Sequence, residues 1–127
     1  MLIENFYKTL DSSRSERGYV FNIKLKPGHE VYKGHFPDQP VVPGVIQLQI
    51  IKELLEGQKQ LSLFMDSIVQ VKYLRPILPD EDTLLKLEVG IKTQTPENIK
   101  SRIVISSGEI IFTKAIINFS IEQLTVR

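Results

Sequence analysis

Apolar residues recur with two different periods along this chain, and the switch between them marks the elements. In YVFNIKLK (19–26), Tyr19, Phe21, Ile23 and Leu25 face one way and Asn22, Lys24 and Lys26 the other. That alternation predicts a half-buried strand, ended by Pro27 and Gly28. From residue 62 onward the same period dominates. SLFMDSIVQVKYLRPI (62–77) is a long β-rich run and PDED (79–82) a turn. TLLKLEVGIKTQ (83–94) alternates, with Leu85, Leu87, Val89 and Ile91 on one face. TPEN (95–98) is a loop, IKSRIVIS (99–106) a strand, SSGE (106–109) a hairpin turn and IIFTKAIINFSI (110–121) the last strand.

Two segments have helical spacing instead. Leu2, Phe6 and Leu10 predict a short amphipathic helix over 2–10, followed by a polar loop, DSSRSERG (11–18). VIQLQIIKELLEG (45–57) carries Val45, Leu48, Ile51 and Leu55 on one face and Ile46, Ile50 and Leu54 on another, with Gly57 as the expected C-cap. So wide an apolar surface predicts a helix buried on more than one side. Between the first strand and this helix, GHFPDQPVVPG (34–44) holds three prolines and two glycines in eleven residues, which excludes helix and central strand and predicts an ordered loop. Pro43 stands where a helix tolerates proline, at its start. The expected architecture is α+β over one domain, 1–127. A long antiparallel sheet curls around a central helix, because only the four late strands can cover that helix.

Composition narrows the chemistry. The 127 residues suit one compact domain, and 42% hydrophobic content excludes a disordered chain. A formal net charge of +1 supplies no global field for nucleic acid. The absence of cysteine excludes disulfides, thiolate catalysis and cysteine-ligated metals. No secretory leader is expected at the amino terminus, and no run approaches the roughly 18 apolar residues of a membrane span, so a cytoplasmic location is expected.

The most specific string is His35-Phe36-Pro37-Asp38-Gln39-Pro40-Val41-Val42-Pro43-Gly44-Val45. It resembles the active-site segment of the β-hydroxyacyl-acyl carrier protein dehydratases, His-Phe-Pro-Gly-x-Pro-(Ile/Val)-(Met/Leu)-Pro-Gly-Val. Val71-Lys72-Tyr73-Leu74-Arg75-Pro76-Ile77-Leu78-Pro79 is similar to that family's Lys-Phe-x-x-Pro-Val-x-Pro strand. The resemblance runs on through the closing strands. It implies a hotdog fold and dehydration of a 3-hydroxyacyl thioester to the trans-2-enoyl product in fatty-acid or polyene-type lipid biosynthesis. It implies no metal and no organic cofactor.

That reaction needs a base for the α-proton, charge stabilisation at the thioester oxygen and an acid for the departing hydroxyl. His35, in a proline-bounded loop, is a suitable base near neutral pH. The start of the helix at Gly44 offers backbone N–H groups and the positive end of the dipole for the oxyanion. Phe36, Pro43, Val45 and Leu48 are the expected substrate-lining residues. A histidine without this context reads as an ordinary loop side chain, and His29, in the turn PGHE, is expected on the surface.

Gln49 is the departure. The family has Glu or Asp fourteen residues after the histidine, and an amide cannot transfer a proton as a carboxyl does. Either His35 handles both transfers while Gln49 orients the hydroxyl, or the chain is a reduced-activity partner of a complete subunit. Glu53, four residues on, is expected as a solvated helix-end charge rather than a substitute acid. Gln47-Leu48-Gln49 is similar to dehydratase-like proteins of aryl-polyene-type pathways, which also replace the carboxylate.

The resemblance further implies a dimer, homomeric or heteromeric with another hotdog chain, in which the histidine and the helix residue are contributed across the interface, and an acidic acyl carrier protein as partner. Lys33, Lys72, Arg75 and Lys100 are candidates for a basic patch that receives it. Two rival readings stay open: a hotdog thioesterase, which usually needs a carboxylate to activate water, and a non-catalytic acyl-binding subunit.

Overall fold

The computed structural model describes residues 6–33, 40–80 and 83–122. Their elements run β1 (Tyr7–Ser15), β2 (Gly18–Leu25), a 3-10 turn (Glu30–Lys33), α1 (Gly44–Lys59), β3 (Ser62–Tyr73), β4 (Leu84–Gln94), β5 (Asn98–Ser107) and β6 (Ile110–Glu122). The strands form one antiparallel sheet in the order β1-β2-β4-β5-β6-β3. This is the expected α+β hotdog architecture.

One face of the sheet supplies the core. Phe21, Ile23 and Leu25 from β2, Leu85, Leu87 and Val89 from β4, and Ile99, Ile103 and Ile105 from β5 are buried at alternating positions. Ala115, Ile117 and Phe119 continue the row on β6. Against them α1 buries Leu48, Ile50, Ile51, Leu54 and Leu55. Ile51 and Leu55 are wholly enclosed, and burying each contributes about 1.5–3 kcal/mol. The close approach of β2 to β4 depends on Gly18, where a Cβ would be driven into the backbone carbonyl of Val89.

Two expectations fail at the amino-terminal end. Residues 7–10, expected as helix, are the first half of β1, and DSSRS (11–15), expected as loop, is its second half. Residues 2–5 lie outside the described residues. β1 pairs with β2 from Tyr7↔Leu25 to Ser15↔Gly18, and Leu10 is the extra residue at an irregularity between Thr9 and Asp11. Beyond half-buried Tyr7, its side chains are all exposed. No apolar alternation could therefore announce this strand: backbone pairing with β2 holds it, together with the 2.7 Å bond from Asn22 Nδ2 to Asp11 Oδ1.

The other boundaries shift for local reasons. β3 stops at Tyr73 rather than at 77, since Pro76 lacks the N–H a ladder needs. Instead the Leu74 and Arg75 N–H groups donate to Phe112 O. The expected turn at 79–82 is described at 79 and 80, and Thr83 N–H donates to Asp80 O. α1 runs on through Gly57 to Lys59, and the left-handed residue that caps it is Gln60, at φ 53 and ψ 44. Gly57 thus sits inside an exposed helical turn, with nothing within 4 Å of the place its Cβ would occupy. Gly57→Ala is expected to stabilise the chain by about 0.5–1 kcal/mol, read as a higher urea midpoint at unchanged slope.

Candidate active site

The start of α1 is built from the two sequence strings singled out above. Val42 N–H donates to Ile77 O at 2.8 Å, tying the approach to the helix to the proline-rich segment after β3. Pro43, at φ −58 and ψ 144, is the N-cap residue, and its carbonyl accepts from the Ile46 and Gln47 N–H groups, each at 3.1 Å. The Gly44 and Val45 N–H groups have no acceptor among the described residues. No described side chain caps the helix and no acidic residue lies in its first turn, so among the described residues none competes with an incoming anion for the positive end of the dipole.

Gly44 is required by its neighbour as well as by any ligand. The Tyr73 ring lies over it, and a Cβ at position 44 would come within 2.5 Å of Tyr73 Cζ and the phenolic oxygen. Partial burial raises the Tyr73 pKa. The side chain stays about half exposed, beside exposed Lys72, Leu74 and Arg75.

Below this opening, Gln47 anchors the helix. It is 4% exposed. Its Oε1 accepts from the Thr113 hydroxyl on β6 at 2.6 Å, and its Nε2 donates to Val42 O at 3.3 Å. In the sequence Gln47 stands out only as part of the Gln47-Leu48-Gln49 string. A polar residue at a core-facing helical position was the signal for it.

Gln49 is partly buried, and its Nε2 donates to Glu53 Oε2 at 3.0 Å. The other carboxylate oxygen of Glu53 accepts from the Tyr7 hydroxyl at 3.2 Å. Glu53 is 9% exposed, which corrects its expected place as a solvated charge: the helix continues past it and β1 brings Tyr7 to meet it. The Tyr7 pKa is raised far above its ordinary value by burial, then by the charge of Glu53 and their hydrogen bond.

The remaining candidates divide. Val45 points outward, 74% exposed, whereas Leu48 is buried among the core residues. His35 and Phe36 lie outside the described residues. His29 is half-buried rather than on the surface, its ring edge-on to Phe6 with centroids 5.1 Å apart. Phe6 also stacks at a tilt on Tyr32, whose buried hydroxyl has no partner among the described residues and whose pKa is pushed up to about 12 by desolvation. Of the expected basic patch, exposed Lys72 and Arg75 flank Tyr73, Lys100 sits on β5, and the Lys33 side chain is not described. A cavity of about 320 Å³, lined by Arg14, Arg17, Tyr19, Lys59 and Gln94, lies at the opposite end of α1 from Gly44. Among the described residues, no cluster of three His, Asp or Glu side chains could hold a metal ion, and no helix is long and apolar enough to cross a membrane.

The family model of the ApeI-like dehydratases, described as ApeI dehydratase, matches residues 11–110. The chain belongs to the ApeI-like dehydratase family. That match runs from within β1 to the start of β6 and takes in both strings that meet at Gly44. Among curated relatives, the chain is 34% identical to the 3-hydroxyacyl-[acyl-carrier-protein] dehydratase FabZ of Histophilus somni (strain 2336), over 46% of this chain and 44% of that protein. It is 25% identical to the FabZ of Clostridium acetobutylicum, over 86% of this chain and 79% of that one. The match thus spans less than half of the Histophilus relative. Among solved structures, the dehydratase heterocomplex ApeI:P from Xenorhabdus doucetiae is similar with a TM-score of 0.71 and 19% identity, covering 89% of this chain and 96% of that one. A hypothetical thioesterase with coenzyme A from Streptococcus pneumoniae TIGR4 reaches 0.65 at 12% identity, covering 91% and 85%. At these identities both show that the ApeI-like chain shares their fold.

Proposed function

We propose that this ApeI-like chain dehydrates a 3-hydroxyacyl thioester, carried on acyl carrier protein, to the trans-2-enoyl thioester. The observation that carries the reading is the start of α1, where amide donors at Gly44 and Val45 face no acidic side chain in the first turn. His35 removes the α-proton. The electron pair moves into the thioester, whose oxygen gains charge opposite the Gly44 N–H. As the double bond forms, the C–O bond at carbon 3 breaks, and the hydroxyl leaves as water with the proton returned from His35. Gln49 holds the hydroxyl by hydrogen bonding. Phe36, Pro43 and Val45 contact the acyl chain.

A second chain completes this arrangement. β3 is one edge of the sheet, and Phe64, Ile68, Val69 and Tyr73 along it are exposed, whereas the opposite edge, β1, is mostly polar, with Leu10 its one exposed aliphatic side chain. An apolar edge strand is a pairing surface. Tyr73 connects it to Gly44, so a partner docked on β3 lies next to the site. The ApeI:P neighbour is a heterocomplex, which supports a second hotdog chain as partner. Exposed Lys72 and Arg75 supply the basic approach for an acidic carrier.

The direct assay follows enoyl-thioester absorbance on incubation with 3-hydroxyacyl carriers. Wild-type protein is expected to produce the signal, and Gln49→Glu, which sets a second carboxyl against Glu53 Oε2, to lower it. A large loss in Gln49→Glu would show that the amide has a role a carboxyl cannot fill. A non-catalytic partner subunit is the second reading, favoured by the amide at position 49. No turnover alone, with turnover restored by a co-purifying hotdog chain, would establish it. Release of free thiol from acyl-coenzyme A would instead support a thioesterase.

A further inference from the structure

Glu53 is a nearly buried carboxylate that the proposed reaction does not use, and it stands one helical turn from Gln49 on the same face of α1. Enclosing a carboxylate is costly unless it is hydrogen-bonded. Here the Tyr7 hydroxyl donates to one oxygen and the Gln49 amide to the other. An ionised carboxylate only accepts hydrogen bonds, so the end of Gln49 that meets it must be the NH₂ group. The amide is planar, and its carbonyl oxygen is therefore turned away from Glu53. The bond to Glu53 favours this orientation, and Tyr7, reaching across from β1, holds Glu53 in place.

We infer that Glu53 is a positioning residue that sets which end of Gln49 faces the reacting centre. Clamped in this way, Gln49 offers a hydrogen-bond acceptor to the 3-hydroxyl of the substrate. The substrate hydroxyl donates its own hydrogen to Gln49 Oε1 and keeps its oxygen lone pairs for the proton that His35 returns. A Gln49 turned the other way would donate to that oxygen and compete with the incoming proton. This role rests on the dehydratase reading, but the clamp itself can be measured without turnover.

The clamp is tested by nitrogen-15 NMR of the intact protein. In wild type, the Gln49 side-chain amide is expected to show a downfield proton protected from solvent exchange. Glu53→Met, which removes the acceptor at similar length, is expected to abolish both features. If they are unchanged in Glu53→Met, the clamp is refuted. Turnover tests the consequence. Glu53→Met is expected to lower kcat about tenfold, the worth of one oriented hydrogen bond, with KM within about twofold. Glu53→Gln, which keeps an acceptor that can itself rotate, is expected to fall between the two. In a Gln49→Met background, Glu53→Met is expected to cause no further loss, because there is no amide left to orient. Independent, additive losses would overturn the inference by showing that Glu53 acts through packing alone. Wild-type protein with the NMR signature and no turnover would refute the dehydratase reading while leaving the clamp standing.

Discussion

Alanine at position 35 is expected to lower the turnover of a 3-hydroxyacyl thioester by about 10²–10⁴-fold, the usual contribution of one positioned acid or base. Position 49 holds an amide, and Glu53 already accepts hydrogen bonds at both oxygens. No residue described beside the start of α1 is placed to take the proton instead. The effect is expected to fall on kcat, with KM changed much less, because His35 is proposed to act on the α-proton and other side chains to hold the acyl chain. The measurement is the enoyl absorbance assay, with the unfolding midpoint as a control for folding. Full turnover by His35→Ala would sink the mechanism.

Thr113→Val is expected to cost about 1–3 kcal/mol, because it leaves the buried Gln47 Oε1 without its 2.6 Å donor. Thr113 is wholly enclosed on β6, so water cannot replace the hydroxyl without opening the core. Valine keeps the shape, which isolates the loss of the hydrogen bond from any cavity. Urea unfolding should show a lower midpoint at constant slope. Adding Gln47→Met should recover part of the loss, since an apolar pair leaves no stranded amide oxygen between helix and sheet. A Thr113→Val protein within about 0.5 kcal/mol of wild type, the range of an ordinary surface substitution, would mean that Gln47 finds another partner. Because Gln47 also holds Val42 O, the same substitution is expected to reduce dehydration through misplacement of the Gly44 amide.

The sequence alone was sufficient for the elements whose burial alternates. β2, β4, β5 and β6 each present one apolar face to one helix, so a period of two against a period of 3.6 identifies them and predicts how they pack. Pro43-Gly44 announced the start of α1, since proline lacks the N–H that a helix interior needs and fits a helix only at its entry. The dehydratase family was legible for a related reason: the proline-bounded string and the Lys-Tyr-x-x-Pro strand are local, and a local string can be read without its neighbours.

What depended on partners distant in the chain was decided by the tertiary structure. β1 was invisible because its side chains are exposed and its stability comes from a ladder with β2. Gln60, not Gly57, ends α1, because the contacts of its last turn carry the helix past an uncapped glycine. Glu53 looked like a surface charge, since a carboxylate on a helix is usually solvated. Only the return of β1, 46 residues earlier in sequence, encloses it and supplies the Tyr7 hydroxyl. Likewise Tyr73 over Gly44 and Val42 N–H on Ile77 O join two strings that sequence reading treated separately. Residue type and spacing thus named the candidate groups, and long-range packing decided which of the described ones are desolvated, oriented and brought together.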